Sequence, residues 1–376
     1  MRLRIFSFMA GLLLLTGCAA QESSLQNGQQ PGALQGGSQT QQTAQIPTDP
    51  REYGDYLVKG PFKQCAKETD GGKAYLCFDS YFEGLVNAEG PERAFKDIKP
   101  LYDAVPLVRT YCHPLAHVIG RAAVTKYPKL SDAYLHGDDF CWSGYYHGVM
   151  ETYVDKIGRD KLPAHMPTIC DEIPGKESYS FSYYNCVHGL GHGVMALTQD
   201  ELFDSLKLCD NLLTDWDRKS CYSGVYMENV IVDGLNHTTK YLKPEEPVYP
   251  CNAVETKYKE PCYLMQTSYM LKVNNYDFKN TFDICKTVDA DFVDTCYRSL
   301  GRDASGSSVS DIENTRAKCF LGEDYRQKSQ CIVGAVKDFI SYYHDDAKAR
   351  QLCESLGDKE MTSLCLTTAT DYYKSF

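Results

Sequence analysis

Along residues 203–230, FDSLKLCDNLLTDWDRKSCYSGVYMENV, apolar side chains recur every three or four positions up to Cys209, give way to a short polar segment, and resume around Cys221. That period belongs to an amphipathic α-helix. Two such helices joined by a short turn form a hairpin that brings Cys209 and Cys221 side by side. The arrangement returns down the chain: cysteine pairs fall at 209/221, 251/262, 285/296, 319/331 and 353/365, each pair 11 or 12 positions apart. Successive pairs advance by about 34 residues, with one longer step between 209 and 251, and this is the length of a helix–turn–helix repeat. The expected fold is all-α: a right-handed α-solenoid of helical hairpins, each stapled across its mouth by a disulfide.

Upstream, the same logic pairs Cys65 with Cys77, Cys170 with Cys186, and the more widely spaced Cys112 with Cys141. The last pair encloses an insertion, TKYPKLSDAYLHGDDF, that is expected to include a short extra helix. Of 17 cysteines, all but Cys18 are then used in eight sequential bridges: Cys65–Cys77, Cys112–Cys141, Cys170–Cys186, Cys209–Cys221, Cys251–Cys262, Cys285–Cys296, Cys319–Cys331 and Cys353–Cys365. Closing a loop of that size contributes on the order of 3 kcal/mol through chain entropy. An even set of this size fits an oxidising compartment.

The amino-terminal end follows another pattern. MRLRIFSFMAGLLLLTGCAA sets two arginines before an apolar run too short to span a membrane, so residues 1–17 read as a secretory signal peptide. Leu15-Thr16-Gly17-Cys18 resembles the lipobox of bacterial lipoproteins. The resemblance implies cleavage before Cys18 and attachment of diacylglycerol, with palmitate among the acyl chains, to its thiol. Residues 18–55 are rich in Gln, Gly and Ser and cannot bury enough surface to fold, so they read as a tether with a root-mean-square span of about 30 Å. The expected location is the bacterial cell envelope, on the outer face of a membrane. Beyond the tether, residues 56–235 hold a histidine-containing first half and 236–376 the regular repeats.

A disulfide-linked helical hairpin repeated at this length resembles the cysteine-rich Sel1-like repeat proteins, relatives of the tetratricopeptide repeats, over residues 60–376. The resemblance implies a concave face that binds a protein, peptide or other ligand. With 50 acidic and 39 basic residues the net charge is -11, which argues against a nucleic-acid partner. The 28 tyrosines suggest a sticky surface. CxxCH, close CxxC pairs, GxSxG and a phosphate loop are all missing from the sequence, which disfavours enzymes that rely on them.

One feature departs from a plain scaffold. CVHGLGHGVM at 186–195 is echoed by CWSGYYHGVM at 141–150, and its glycines are costly in a helix interior. The third position after a hairpin's second cysteine is mostly small, as helix packing asks, with Gly144, Gly189, Gly224 and Gly334 among its occupants; Gly191 and Gly193 fall outside that register. The sixth position holds His147, His192, Met227, Ser268, Arg302, Lys337 and Asp371, so histidine is local to the first half. His113/His117 and His188/His192 are i,i+4 pairs on single helical faces. His113, His117, His147, His188 and His192 are therefore candidate metal ligands. Met150, Met195 and Met227 nearby favour copper, whereas Glu151, also a candidate base, favours zinc or iron. The alternative is that these imidazoles are hydrogen-bonded core or groove residues and the methionines core filler. His136, His165, His237 and His344 are expected at the surface. Two functions remain open: ligand binding on a concave face, and a metal-binding protein or metal-dependent enzyme whose site lies in the first half.

Overall fold

A computed structural model describes residues 64–65, 67–230, 239–308 and 311–374. The signal peptide, Cys18, the tether, His237 and the 235/236 boundary lie outside the described residues. The fold is helical, with no strand among the described residues. The first half contains α1 (Gly71–Glu89), α2 (Pro91–Ala104), α3 (Pro106–Thr110), α4 (Cys112–Lys126), α5 (Leu130–Leu135), α6 (Gly144–Ile157), α7 (Leu162–His165), α8 (Phe181–Thr198), α9 (Leu202–Cys209) and α10 (Asp215–Val230). After it come α11 (Thr256–Val273), α12 (Phe278–Cys285), α13 (Val293–Ser307), α14 (Ile312–Cys319), α15 (Tyr325–Tyr343), α16 (Ala347–Glu354) and α17 (Lys359–Lys374). The short helix expected inside the Cys112–Cys141 loop is α5.

Aspartates begin several of these helices. The side chains of Asp70, Asp277, Asp311 and Asp324 each accept a hydrogen bond from a backbone N–H three residues on, satisfying a donor that the first turn leaves open. All eight cysteine pairs are bridged sequentially, with Cα–Cα separations between 5.3 and 6.0 Å. The longer helix after each staple packs on its successor in chain order: α4 on α6, α6 on α8, α8 on α10, then α11, α13, α15 and α17.

Glycine decides how closely the first of these helices approach. A Cβ on Gly148 would lie 2.0 Å from the His117 carbonyl oxygen, and one on Gly191 would lie 2.2 Å from the Cys221 carbonyl oxygen. Backbone therefore rests directly on backbone where α4 crosses α6 and where α8 crosses α10. Gly191, which the register left unexplained, is a tight crossing, whereas Gly189 has only ordinary contacts starting at 3.4 Å.

Two expectations are corrected. Cys251 is not at the end of a helix: residues 239–255 run as turns, because Pro244, Pro247 and Pro250 remove donors and break helical geometry. Buried Gln266 pins this segment by donating to the carbonyls of Pro247 (2.8 Å) and Tyr249 (2.9 Å). The tyrosines are also not chiefly a surface feature, since Tyr145, Tyr222, Tyr226 and Tyr263 are among the largest wholly buried side chains. Most of these hydroxyls find a partner inside: Tyr145 donates to the Ala133 carbonyl at 2.7 Å and Tyr263 to Asp289 at 3.1 Å, whereas the Tyr226 hydroxyl is buried without one.

The end of α15 reaches back to the first half. His344, its cap, pairs with Asp139 and packs on Phe181 with ring centroids 4.5 Å apart, while Tyr342 meets Trp142 at 5.8 Å.

Candidate metal centre

Four consecutive long helices supply the site. α4 carries His113 and His117 one turn apart, α6 carries His147 and Glu151, α8 carries His188 and His192, and α10 carries Ser223, Met227 and Glu228. The close crossings draw the imidazoles together. His192, His147, His188 and His117 are 0, 1, 3 and 8 % exposed, and His113 is half-buried. His147 stacks on His192 with centroids 3.9 Å apart and planes 12° apart, and its centroid lies 5.2 Å from those of both His113 and His117. All five candidate histidines thus meet in one place.

Their outward nitrogens are anchored. His113 Nδ1 lies 2.8 Å from the Cys141 carbonyl oxygen, His117 Nδ1 2.7 Å from Glu151, and His192 Nδ1 2.6 Å from Glu228. A carbonyl or carboxylate oxygen only accepts, so each of these Nδ1 atoms donates. His188 Nδ1 lies 2.8 Å from the Ser223 hydroxyl and 3.1 Å from that of Tyr184, groups that can each donate or accept, so its tautomer is not set by its neighbours as it is at the other three rings. In those three, when neutral, the other nitrogen, Nε2, then carries a lone pair. The Nε2 atoms approach in pairs: those of His113 and His117 are 3.1 Å apart, and those of His188 and His192 are 3.3 Å apart. The Met227 sulfur lies 3.3 Å from His188 Nε2.

Burial disfavours imidazolium here. It lowers His113 to about 3, with the neighbouring His117 adding to the effect, and lowers His188 to about 4. His147 and His192 fall well below the ordinary value, first through burial and then through neighbouring imidazoles. Burial would raise Glu151, but His117 and Arg121 outweigh it and hold the carboxyl below its usual range. Both Glu151 oxygens are engaged, one by His117 and one by Arg121 at 3.2 Å. This suits a group that orients an imidazole.

The other candidates are elsewhere. Met150 and Met195 are wholly buried core residues. His165 is exposed, whereas His136 and His344 are half-buried against Glu92 and Asp139. Glu228 and Ser223 escaped sequence reasoning. The signal for Glu228 was one of register: the carboxylates lie 34 and 36 residues beyond the second histidine of each pair.

Comparison of the chain with protein-family profiles, curated proteins and solved structures finds no match.

Proposed function

We propose that this is a metal-binding protein whose centre is the histidine cluster of α4, α6, α8 and α10. The observation that carries the reading is the pair of close Nε2–Nε2 approaches, 3.1 and 3.3 Å, with the outward nitrogens of His113, His117 and His192 held as donors by acceptor-only oxygens. Lone pairs brought that close repel unless a cation lies between them. An extra proton shared between His188 and His192 would require imidazolium where burial opposes it, whereas a metal ion is what neutral, pre-oriented imidazoles suit. Histidine donating to a carboxylate while its other nitrogen faces the centre is the arrangement that fixes tautomer and ring orientation at metal sites. A donor set of imidazole with one thioether, and carboxylates only in outer positions, favours copper over zinc or iron.

The scaffold we read as a right-handed α-solenoid of roughly 34-residue hairpins, Sel1-like in organisation; its support is that each long helix packs on the next in chain order. The eight disulfides fit an oxidising compartment outside the cytoplasm. Anchorage through lipidated Cys18 in a bacterial envelope completes the proposal, and mass spectrometry of the membrane-extracted protein should find a diacylated Cys18 peptide. A concave face that takes a protein or peptide has no residue set of comparable definition behind it.

The test is metal content. Protein loaded with copper, zinc or iron and then desalted should retain metal by elemental analysis, and His117→Ala/His192→Ala should lose it with unchanged far-ultraviolet circular dichroism. Wild-type protein that retains none of the three would overturn the reading and leave proton-bridged imidazoles in its place.

A further inference from the structure

The five imidazoles do not form one uniform shell. Their ligand atoms fall into two groups, His113/His117/His147 and His147/His188/His192, and within each group all three atoms lie within 4.8 Å of one another. His147 is the common member. It also differs from the other four in its hydrogen bonding: its Nδ1 is buried and has no hydrogen-bond partner, whereas each of theirs is held by an oxygen. A buried, unpartnered ring nitrogen is costly in a folded protein and marks a place where something else is expected to bind. A thioether adjoins the second group: the Met227 sulfur lies 3.3 Å from His188 Nε2.

Resting on the metal-binding reading above, we propose that the cluster holds two ions: one on His113, His117 and His147, the other on His147, His188 and His192 with Met227, and that this second position prefers copper(I). His147 is shared, binding one ion through each ring nitrogen. An imidazole that does so must lose its remaining N–H proton, which passes to solvent as the second ion binds, leaving an imidazolate between two cations. The protein supplies the reason for the preference: the second half adds a soft sulfur to its imidazoles, and soft ligands select copper(I). An ion leaving either half has the other beside it, so the pair suits a protein that holds or passes on copper.

Stoichiometry tests this. Full-length protein with its disulfides intact is loaded with copper(I) under anaerobic conditions, desalted, and analysed for ions per chain. Two are expected in the wild type, one in His113→Ala/His117→Ala and one in His188→Ala/His192→Ala. Met227→Leu, which leaves every imidazole in place, should weaken one of the two copper(I) sites by at least about tenfold while zinc binding is unchanged. A wild type that saturates at one ion per chain overturns the two-ion proposal and leaves the metal-binding reading standing; a wild type that binds none removes both. Two ions with Met227→Leu indistinguishable from wild type overturns the copper(I) assignment. Should a double variant fail to fold, the wild-type count and Met227→Leu still decide.

Discussion

At the scale of single residues, the site depends on groups that never touch the centre. Glu228 holds His192 from outside as Glu151 holds His117. Glu228→Ala should weaken metal binding about 10- to 100-fold without changing helical content. Glu228→Gln, whose amide oxygen still accepts from Nδ1, should recover part of the loss; competition with a chromophoric chelator measures both. A loss equal for Ala and Gln would mean that charge rather than orientation is what Glu228 supplies. The histidines were legible because an i,i+4 pair announces itself within five letters. Glu228 was not, because its partner lies 36 residues away and only packing brings them together. Asp338, on α15, makes a separate test. Burial raises its carboxyl from 3.8 to about 6, eased by a hydrogen bond from Ser305. The folded state therefore holds more protons than the unfolded between those values, and stability falls as pH rises through that window. Asp338→Asn removes the penalty, so it should be more stable than wild type by about 1 to 3 kcal/mol at pH 7.5 and show no such gain below pH 4. Denaturant titrations at the two pH values check it.

At the scale of helices, two glycine substitutions should act in opposite directions. Gly191→Ala puts a methyl 2.2 Å from the Cys221 carbonyl oxygen, where backbone cannot yield, so α8 and α10 must part. The expected cost is about 1 to 3 kcal/mol or more. Gly84→Ala lies in α1 with nothing within 4 Å and should stabilise by about 0.5 to 1 kcal/mol through helix propensity alone. Thermal or denaturant unfolding of both variants makes the comparison, and equal effects would refute the tight crossing. The cysteine spacing made the hairpins readable, since two thiols at a hairpin mouth must meet whatever the sequence between them. It misled at Cys251, where the same spacing ties a turn to α11. Spacing fixes which residues approach, and only the prolines at 244, 247 and 250 say that the approach is made without a helix. The glycine register holds at Gly144, Gly224 and Gly334, each tight against a neighbouring backbone carbonyl, and fails at Gly189: Gly189 and Gly191 lie two positions apart on different faces, and only the crossing helix shows which one bears the contact.

At the scale of the whole molecule, a row of hairpins that touch only their neighbours should respond to a ligand locally. This chain is not limited to such contacts. Cys141, Trp142 and Ser143 all take left-handed backbone conformations, with φ of 63, 55 and 60°, in the turn that presents the Cys141 carbonyl to His113. The same turn meets the end of α15, through Asp139 with His344 and Trp142 with Tyr342, and Phe181 at the first turn of α8 packs on His344 from the other side. Nothing in the sequence announced this, because contacts between distant repeats leave no period. A ligand that fixes His113 and His188 also fixes the turn and the helix that hold α15, so the effect of metal should cross the molecule. Metal loading is expected to raise the unfolding temperature in a concentration-dependent way. It should also slow amide hydrogen exchange in the last turn of α15 as well as in α4 to α10. His344→Ala should abolish the slowing in α15 while that in α4 remains. If exchange in α15 ignores metal in the wild type, the returning contact carries no coupling, and the first half binds its ligand as an independent unit.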